Sequence, residues 1–347
     1  MLELKKTDIR SLDKVEVREF FERLGEPKYR ADQVHQWLWQ KSAHDFDSMT
    51  NLSLDLREKL KENFVIKELS IDQRQESEDG TKKYAFKLSD GNMVEGVLIP
   101  TEKRLTACIS TQVGCSLACE FCATGKLKRM RNLGYSEIYD QVVEINKEAL
   151  RYYGRPLTNI VYMGMGEPLL NYKNTMESVY HITSDKGLNM APRRLTISTA
   201  GIAKMIEKMA DDKSKVNLAL SLHAANDEKR SSMMAINDTN NLDILAKALR
   251  YYHGKTGQMV TFEYIIFKDF NDSIEDAREL LAFCQRVPSK VNIIEYNDVE
   301  GTIFRKADEA KTDAFAAYLE RNGVVAKVRR SRGKDIDAAC GQLANKT

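Results

Sequence analysis

Cys115-Ser-Leu-Ala-Cys119-Glu-Phe-Cys122 places three cysteines on one short stretch of chain, with three residues between the first pair and two between the second. Thiolates are the protein ligands of iron–sulfur clusters and of soft metals. A structural zinc site closes with four ligands, whereas this stretch supplies three. A four-iron cluster held by three cysteines keeps one iron open for a reactant. Phe121 would add an apolar wall that limits the access of solvent to the cluster.

Other interpretations of these cysteines remain open at this point. They could be packing residues, because free cysteine is among the most buried residue types. They could bind zinc with a fourth ligand from elsewhere in the chain, such as Cys108 or a histidine. A disulfide framework is disfavoured, because nothing else in the sequence indicates secretion.

The composition is typical of a soluble protein with a sizeable core. The chain has 347 residues, of which 42% are hydrophobic and 30% charged, and its formal net charge is +2. This length predicts two domains, or one barrel with an appendage. The net charge is too small to indicate a nucleic-acid partner by itself. No apolar run could cross a membrane and the N-terminus lacks a signal-peptide core, so we expect a cytoplasmic protein without a membrane partner.

Three regions of different character follow one another along the chain. Residues 1–65 carry apolar residues at helical spacing, which predicts an N-terminal helical accessory domain that either packs on the rest or binds substrate. Residues 66–105 contain two alternating segments joined by Ser-Asp-Gly, which predicts a β-hairpin extension. Residues 106–347 alternate between strand and helix patterns and form the predicted catalytic unit.

The catalytic unit is predicted to be an α/β fold with a partial (β/α)6 barrel. Strands are expected over residues 106–111, 158–163, 194–198, 216–222, 259–266 and 290–296. Helices are expected over residues 135–153, 173–185, 202–211, 242–253, 273–287 and 306–322. Strands that are separated by helices indicate a parallel sheet, and six such units favour a partial barrel over a closed eight-fold one.

Polar or small residues follow the ends of most of these strands. The cysteine stretch follows the first strand, and the later strands end in Met163-Gly164-Met165-Gly166-Glu167-Pro168, Ser198-Thr-Ala-Gly201, Ser221-Leu-His223 and Tyr296-Asn297. Each group is ordinary alone, since serine often caps a helix and glycine is common in turns. In a parallel barrel, however, the carboxyl ends of the strands form the active-site face. Together they predict one polar pocket beside the cysteines.

The cysteine spacing resembles that of the radical S-adenosylmethionine (SAM) enzymes. Further stretches resemble the RlmN/Cfr family of adenosine methyltransferases, namely Gly-Met-Gly-Glu-Pro at 164–168, Ser-Thr-Ala-Gly at 198–201, Ser-Leu-His at 221–223 and Ala-Ala-Cys-Gly-Gln-Leu at 338–343. The resemblance runs from about Glu95 to Leu343, with a similar helical leader before it. It implies a radical SAM barrel for the predicted α/β unit.

By this resemblance, Cys115, Cys119 and Cys122 hold a [4Fe–4S] cluster, and SAM chelates the open iron. Reduction then cleaves SAM to a 5′-deoxyadenosyl radical. Further contacts to SAM are implied for Gly166, Glu167, Ser198, Ser221, Leu222, His223 and Asn297. The first two of these would bind the amino end of SAM.

The resemblance also implies the catalytic residues. C2 of adenine is electron-poor and cannot attack the methyl group of SAM, so the family uses a radical route with two SAM molecules per turnover. Cys340 takes a methyl group from the first, and that group adds to adenine as a methylene radical. Glu95 removes the C2 proton, and Cys108 then attacks Cys340, forming a disulfide as the product leaves. Arg330 and Arg332, close to Cys340 in sequence, would favour its thiolate.

The implied substrates are 23S ribosomal RNA and, in some members, transfer RNA. Two basic clusters agree with an RNA partner: Lys126, Lys128, Arg129 and Arg131, and Lys327, Arg329, Arg330, Arg332 and Lys334. We also expect a monomer that takes electrons from a donor such as flavodoxin or ferredoxin.

Two alternatives to C2 methylation stay open. One is C8 methylation, as in the Cfr-like relatives, although Gly166-Glu167-Pro168 and Arg332-Gly333 favour C2. The other is a non-catalytic, metal-containing RNA-binding protein, against which the presence of Cys108, Cys340 and Glu95 argues.

Overall fold

The computed structural model describes residues 6–345, so residues 1–5 and 346–347 of the predicted units lie outside the description. The helices within this range are α1 (Lys14–Arg23), α2 (Tyr29–Trp39), α3 (Leu54–Asn63), α4 (Tyr135–Tyr153), α5 (Tyr172–Thr183), α6 (Ala203–Asp211), α7 (Asp227–Met233), α8 (Leu242–Thr256), α9 (Ile274–Cys284) and α10 (Glu309–Arg321). The strands are β1 (Thr7–Asp8), β2 (Phe64–Val65), β3 (Ser70–Glu76), β4 (Lys82–Lys87), β5 (Met93–Pro100), β6 (Leu105–Cys108), β7 (Gln112–Val113), β8 (Arg131–Asn132), β9 (Asn159–Tyr162), β10 (Leu195–Thr199), β11 (Asn217–Ser221), β12 (Val260–Ile266), β13 (Ser289–Glu295) and β14 (Ala326–Arg329).

A ten-stranded sheet organises the chain, in the order β14-β13-β12-β11-β10-β9-β6-β5-β4-β3. The strands from β14 to β6 pair in parallel, and β5, β4 and β3 continue the sheet in antiparallel fashion. The six predicted parallel strands are all present. The predicted hairpin is β4 and β5, and it is hydrogen-bonded directly to the barrel strands through β6.

β14 is a seventh parallel strand that the sequence analysis did not predict. It pairs with β13, with Val291 opposite Ala326 and Ile294 opposite Arg329. Its four residues alternate between apolar and basic side chains, and the two basic ones, Lys327 and Arg329, belong to the second predicted basic cluster. The pairing takes Arg329 into the edge of the barrel and towards the site.

The helices are positioned by amphipathic spacing and by capped ends. In α4, Ile138, Val142, Ile145 and Ala149 are buried at intervals of three or four residues, which places them on one face towards the sheet. Gly154 ends this helix in the left-handed conformation, with φ of 63°, as helix C-terminal glycines commonly do. None of the described helices is both long and apolar enough to cross a membrane.

The N-terminal helices pack against the outside of the barrel at α4 and α5. Trp39 of α2 stacks on His181 of α5 with ring centroids 3.7 Å apart, and Tyr135 of α4 stacks on the same imidazole at 5.5 Å. The Nη1 of Arg10 donates to Oδ1 of Asp140 at 2.6 Å, and both side chains are buried. The helical part is therefore fixed to the barrel by aromatic and ionic contacts.

Candidate active site

A cavity of about 380 Å³ opens at the carboxyl ends of the parallel strands. Ten of the thirteen predicted site residues line it: Cys108, Cys115, Cys119, Cys122, Gly166, Glu167, Ser198, Ser221, His223 and Cys340. Glu95, Leu222 and Asn297 are buried nearby but are not among the lining residues. The sequence prediction of one pocket at the strand ends therefore agrees with the structure.

The cysteine stretch forms a compact loop against the barrel. The N–H of Cys122 donates to the carbonyl oxygen of Cys119 at 3.1 Å, and the N–H of Glu120 donates to that of Met233 in α7 at 3.1 Å. Phe121 is buried and packs edge-on against His223, with ring centroids 4.8 Å apart. This is the apolar wall that the sequence predicts.

The three thiols lie close enough to influence one another. Burial raises the pKa of Cys119, and the neighbouring Cys122 and Cys115 raise it further. Burial also raises the pKa of Cys115, to about 11. Among the described residues, no three His, Cys, Asp or Glu side chains are arranged around a single ion. Three separated soft donors on one cavity wall fit a cluster with one open iron, and binding it would release their protons.

Gly166 contributes its backbone, and Glu167 its carboxylate, to the wall of the cavity. Gly166 has φ of +93°, and a Cβ there would lie 2.4 Å from Cβ of Gln112, so only glycine fits. The Oε2 of Glu167 accepts the N–H of Ala200 at 2.8 Å, and its Oε1 accepts that of Leu169 at 3.0 Å. Burial raises the pKa of Glu167 to about 7. The carboxylate is thus held between the ends of β9 and β10.

Ser198, Ser221 and His223 lie on adjacent strand ends. The two serine hydroxyls are 3.3 Å apart. The Nδ1 of His223 accepts the N–H of Ile265 at 3.1 Å, and burial lowers the pKa of His223 to about 3. The imidazole is therefore neutral, and because Nδ1 accepts, Nε2 carries the hydrogen.

Leu222 and Asn297 lie one step back from the cavity. The N–H of Leu222 donates to the carbonyl oxygen of Glu263 at 3.0 Å. The amide of Asn297 donates to Oγ of Ser331 at 2.9 Å. Both residues therefore join the strand ends that surround the cavity.

Arg230 on α7 was not predicted from the sequence. It is 0% exposed, and its guanidinium donates to the carbonyl oxygens of Ala200 at 2.6 Å and Leu222 at 3.1 Å, and to Oδ1 of Asn237 at 2.7 Å. One arginine in a short polar segment looks like a surface residue in sequence. Its only sequence signal is its position shortly after Ser221-Leu-His223.

The tail returns to the cysteine loop and presents Cys340 to the cavity. The carbonyl oxygen of Gly341 accepts the N–H of Ala123 at 2.7 Å, and that of Leu343 accepts Oγ1 of Thr124 at 2.6 Å. Cys340 is accessible and lines the cavity together with Cys108. The two cysteines that are far apart in sequence are therefore brought to one chamber.

The basic side chain that acts on both thiols is Arg329. Burial raises the pKa of Cys108 and of Cys340, and the positive charge of Arg329 opposes the rise in each. Arg329 is paired with the buried Glu263, whose Oε2 lies 3.4 Å from Nη1 of the arginine. That Arg330 and Arg332 favour the thiolate of Cys340 stays a prediction, and the largest contribution of a basic side chain at this thiol comes from Arg329.

Arg330 and Arg332 are engaged in other contacts. The Nη1 of Arg330 donates to Oε1 of Glu295 at 2.6 Å. Arg332 donates to the carbonyl oxygen of Pro100. Both residues line the cavity, but the largest contribution of a basic side chain to the pKa of either thiol comes from Arg329.

Glu95 lies on β5 beneath the tail. It is 1% exposed, and its Oε2 accepts the N–H of Ala344 at 2.8 Å and of Asn345 at 3.1 Å. The Nζ of Lys83 is 3.5 Å from its Oε1. In this conformation the carboxylate is covered by the tail.

Most of the predicted basic clusters is exposed. The exposed members are Lys126, Lys128, Arg129, Lys327, Arg329, Arg330 and Lys334. Arg131 instead pairs with Asp90 at 2.6 Å and with Glu137 at 2.8 Å. Its role in the structure is to tie the loop after the cysteines to α4 and to the hairpin turn.

The barrel and the cavity with its three cysteines define the class of radical SAM enzymes. Residues 109–281 match the Radical SAM superfamily, and residues 7–66 match the family described as Ribosomal RNA large subunit methyltransferase N-terminal domain. A crystal structure of a radical SAM methyltransferase from Sphaerobacter thermophilus is 39% identical, with a TM-score of 0.92 over 98% of this chain and 100% of that one.

The chain belongs to the RlmN family. It is 55% identical to the probable dual-specificity RNA methyltransferase RlmN of Christiangramia forsetii over 343 residues, covering 99% of this chain and 97% of that protein. It is 44% identical to the dual-specificity RNA methyltransferase RlmN 2 of Myxococcus xanthus over 347 residues, covering 99% and 92%. As a radical SAM enzyme, it uses a [4Fe–4S] cluster and SAM.

Proposed function

We propose that this protein transfers a methyl group to C2 of adenosine in 23S ribosomal RNA and in transfer RNA, with Cys340 as the methyl carrier. The observation that carries this proposal is that Cys340 and Cys108 share one cavity with Cys115, Cys119 and Cys122. The names of the relatives, which describe dual-specificity RNA methyltransferases, support two classes of RNA substrate.

The cofactors would be held by side chains that already line the cavity. Cys115, Cys119 and Cys122 would bind the cluster, which together with SAM supplies the one-electron chemistry that breaks an unreactive C–H bond. The buried carboxylate of Glu167 would pair with the ammonium group of SAM. The remaining contacts to SAM are assigned to Gly166, Ser198, Ser221, Leu222, His223 and Asn297. The Nε2–H of the histidine is a donor for an oxygen or nitrogen of the ligand.

Cys340 and Cys108 would act in sequence. Cys340, as a thiolate, accepts the methyl group and presents its carbon to the adenine. Cys108 then attacks the sulfur of Cys340, which releases the product and leaves a disulfide that a cellular thiol must reduce. The charge of Arg329 beside both sulfurs supports this assignment, because it stabilises a thiolate at either position.

Glu95 is assigned as the base that removes the proton from C2. The carboxylate of Glu95 lies 3.5 Å from Nζ of Lys83 and can accept a proton once the tail uncovers it. The tail carries both Cys340 and the N–H groups that cover Glu95. Entry of the RNA and exposure of the base would therefore be linked.

The RNA would approach from the open side of the cavity. The exposed Lys128 and Arg129 follow the cysteine loop and suit phosphate contacts. The N-terminal helical part is assigned to RNA binding as well. A single adenine must leave its stack to enter a cavity of this size, which is easiest in an RNA loop. We further propose that the protein acts as a monomer and is reduced by a flavodoxin or a ferredoxin.

The decisive experiment is anaerobic. The protein, reconstituted with iron and sulfide, is incubated with SAM, a reductant and unmodified ribosomal or transfer RNA, and the digested RNA is analysed by mass spectrometry. 2-Methyladenosine is the expected product, and its parent RNA identifies the substrates. 8-Methyladenosine would place the protein with the Cfr-like enzymes, and SAM cleavage without any RNA methylation would contradict the proposal.

Three cysteine variants test the assigned roles. Cys340→Ala should keep the cluster and SAM binding but lose methylation, and full activity in this variant would rule out the carrier role. Cys108→Ala should accumulate a covalent complex with RNA, so its absence would remove the resolving role. Cys284→Ala is the matched control, because that thiol lies on α9, outside the cavity lining, and its loss should leave product formation unchanged.

A further inference from the structure

Arg230 is a buried cation whose hydrogen bonds all go to neutral oxygens among the described residues. Its acceptors are the carbonyl oxygens of Ala200, Ser221 and Leu222 and the amide oxygen of Asn237. Burying an unpaired charge is costly, so such a group is normally neutralised or placed opposite a carboxylate. Burial lowers the pKa of Arg230 to about 10, which still leaves it charged at neutral pH.

Asn237 separates the guanidinium from the nearest carboxylate. The Nη1 of Arg230 donates to Oδ1 of Asn237 at 2.7 Å, and Nδ2 of the same amide donates to Oδ1 of Asp227 at 2.9 Å. A neutral amide thus occupies the place where a direct ion pair would form. The positive charge of Arg230 is therefore not neutralised by a direct ion pair and can act on other neighbouring groups.

The group that faces this charge is the cysteine loop. α7 is bonded to that loop through the N–H of Glu120 and the carbonyl oxygen of Met233 at 3.1 Å. Cys119 packs against the apolar cluster that contains Ala200 and Met233. The guanidinium of Arg230 donates to the carbonyl oxygen of Ala200 at 2.6 Å. The buried cation is therefore separated from the cysteine loop by that one layer of residues.

We propose that Arg230 sets the reduction potential of the iron–sulfur cluster as its buried countercharge. Reduction adds one electron, supplied by the external donor, to a centre that already carries three thiolate ligands, and no bond forms or breaks in this step. A fixed positive charge in a water-poor environment stabilises the more negative, reduced form. Arg230 consequently raises the potential and makes the cluster easier to reduce. The inference rests on the cluster of the family and not on the identity of the RNA.

The same hydrogen bonds explain how the cation is held in place. The planar guanidinium has several N–H donors, so it can hydrogen-bond to the ends of both β10 and β11. Ala200 uses its N–H for Glu167 and its carbonyl oxygen for Arg230. The charge is therefore held at a fixed distance from the cysteine loop by the strand ends themselves.

The test is a redox titration of the full-length, cluster-loaded protein without SAM or RNA, followed by electron paramagnetic resonance. Arg230→Gln removes the charge and should lower the ratio of reduced to oxidised cluster at a fixed potential by about tenfold, which corresponds to about 59 mV for one electron. Arg230→Lys keeps the charge and should titrate near the wild-type potential. An unchanged potential in Arg230→Gln, or an equal decrease in both variants, would overturn the proposal.

Two further variants keep the test decisive if Arg230→Gln does not retain its cluster. Asn237→Asp places a carboxylate against the guanidinium and should also lower the potential, and an unchanged value would contradict the inference. Arg286→Gln removes one exposed positive charge that follows α9 and pairs with Asp243, and it should leave the potential unchanged. The titration contains no RNA, so it does not depend on the proposed substrate. If the wild-type protein methylates no RNA but Arg230→Gln still lowers the reduction potential, the proposed substrate is refuted and this inference stands.

Discussion

The Oε2 of Glu95 accepts the backbone N–H of Ala344 at 2.8 Å, which joins the candidate base on β5 to the tail that carries Cys340. Asn345 adds a second N–H to the same oxygen and a side-chain bond to the carbonyl oxygen of Met93. The proposed methyl carrier and the proposed base are therefore connected through one segment. Under the proposed function, movement of the tail away from Glu95 would free both groups.

Glu95→Gln should block product release and leave the earlier steps intact. The amide still accepts the tail N–H groups but cannot take the proton from adenine, so methylated product should fall by about 10²–10⁴-fold. A covalent complex between Cys340 and RNA should accumulate, and denaturing gels would detect it. Glu76→Gln, an exposed position on β3, should behave as wild type. Normal turnover in Glu95→Gln would show that another group is the base.

Arg329→Met should move methylation of Cys340 to higher pH. Burial raises the pKa of this thiol and Arg329 opposes that rise, so removing the arginine raises the pKa further and lowers the thiolate fraction at neutral pH. The rate of methyl transfer to Cys340, followed by intact-protein mass spectrometry, should fall at pH 7 and recover as the pH increases. Arg329→Lys should restore part of the rate.

The matched control for that experiment is Arg330→Met. Arg330 pairs with Glu295 and Asp313, and the largest contribution of a basic side chain at Cys340 comes from Arg329 instead. Its pH profile should therefore match that of the wild type. A profile that shifts equally in the two variants would mean that the overall positive charge of this segment, and not the position of Arg329, controls the thiol.

Gly166→Ala and Gly254→Ala should change stability in opposite directions. At Gly166 the backbone has φ of +93° and a Cβ would clash with Gln112, so the substitution should cost about 1–3 kcal/mol or more and weaken SAM binding. Gly254 lies within α8, and a Cβ there meets nothing within 4 Å, so alanine should stabilise the protein by about 0.5–1 kcal/mol. Thermal unfolding measures both, and a tolerated alanine at position 166 would contradict the close approach.

Asp140→Asn should loosen the N-terminal helices from the barrel. The substitution leaves the buried guanidinium of Arg10 with Asp8, 3.8 Å from its Nε, as its remaining carboxylate partner, so the cost should be about 1–3 kcal/mol, below that of a fully unpaired buried charge. Asp32→Asn is the control, because Asp32 forms only surface ion pairs with Lys14 and Arg18 and should change stability by about 0.5 kcal/mol or less. Unfolding and limited proteolysis between residues 6 and 65 would reveal the difference, and equal stabilities would show that the aromatic stack alone holds the helices.

Local features of the site could be predicted from the sequence, because they depend on residues that are close together in the chain. The spacing of Cys115, Cys119 and Cys122 determines that three thiols share a loop. The glycines before Glu167 permit a close backbone approach, and the alternation of strands with helices predicts a parallel sheet. Parallel strands bring their carboxyl ends to one edge, so the common pocket followed from the order of the elements.

Contacts between distant segments could not be predicted in this way. β14 looked like a basic cluster, and its pairing with β13 is what takes Arg329 to Cys108 and Cys340. Arg230 looked like a surface residue, and only the packing of α7 against two strand ends buries it. The positions of both arginines depend on the strand order and register of the sheet, which are set by residues far apart in the sequence.

Amino-acid identity and spacing thus predicted the chemistry of this chain, namely soft ligands, a proposed carrier thiol and a carboxylate at known positions. Their relative placement in space was set by the tertiary structure, because strand pairing and the course of the tail depend on the whole core. Two contacts are consequences of that placement. Ala344 and Asn345 cover the carboxylate of Glu95, and the guanidinium of Arg230 lies near Cys119. Each joins residues that are more than 100 positions apart in the chain.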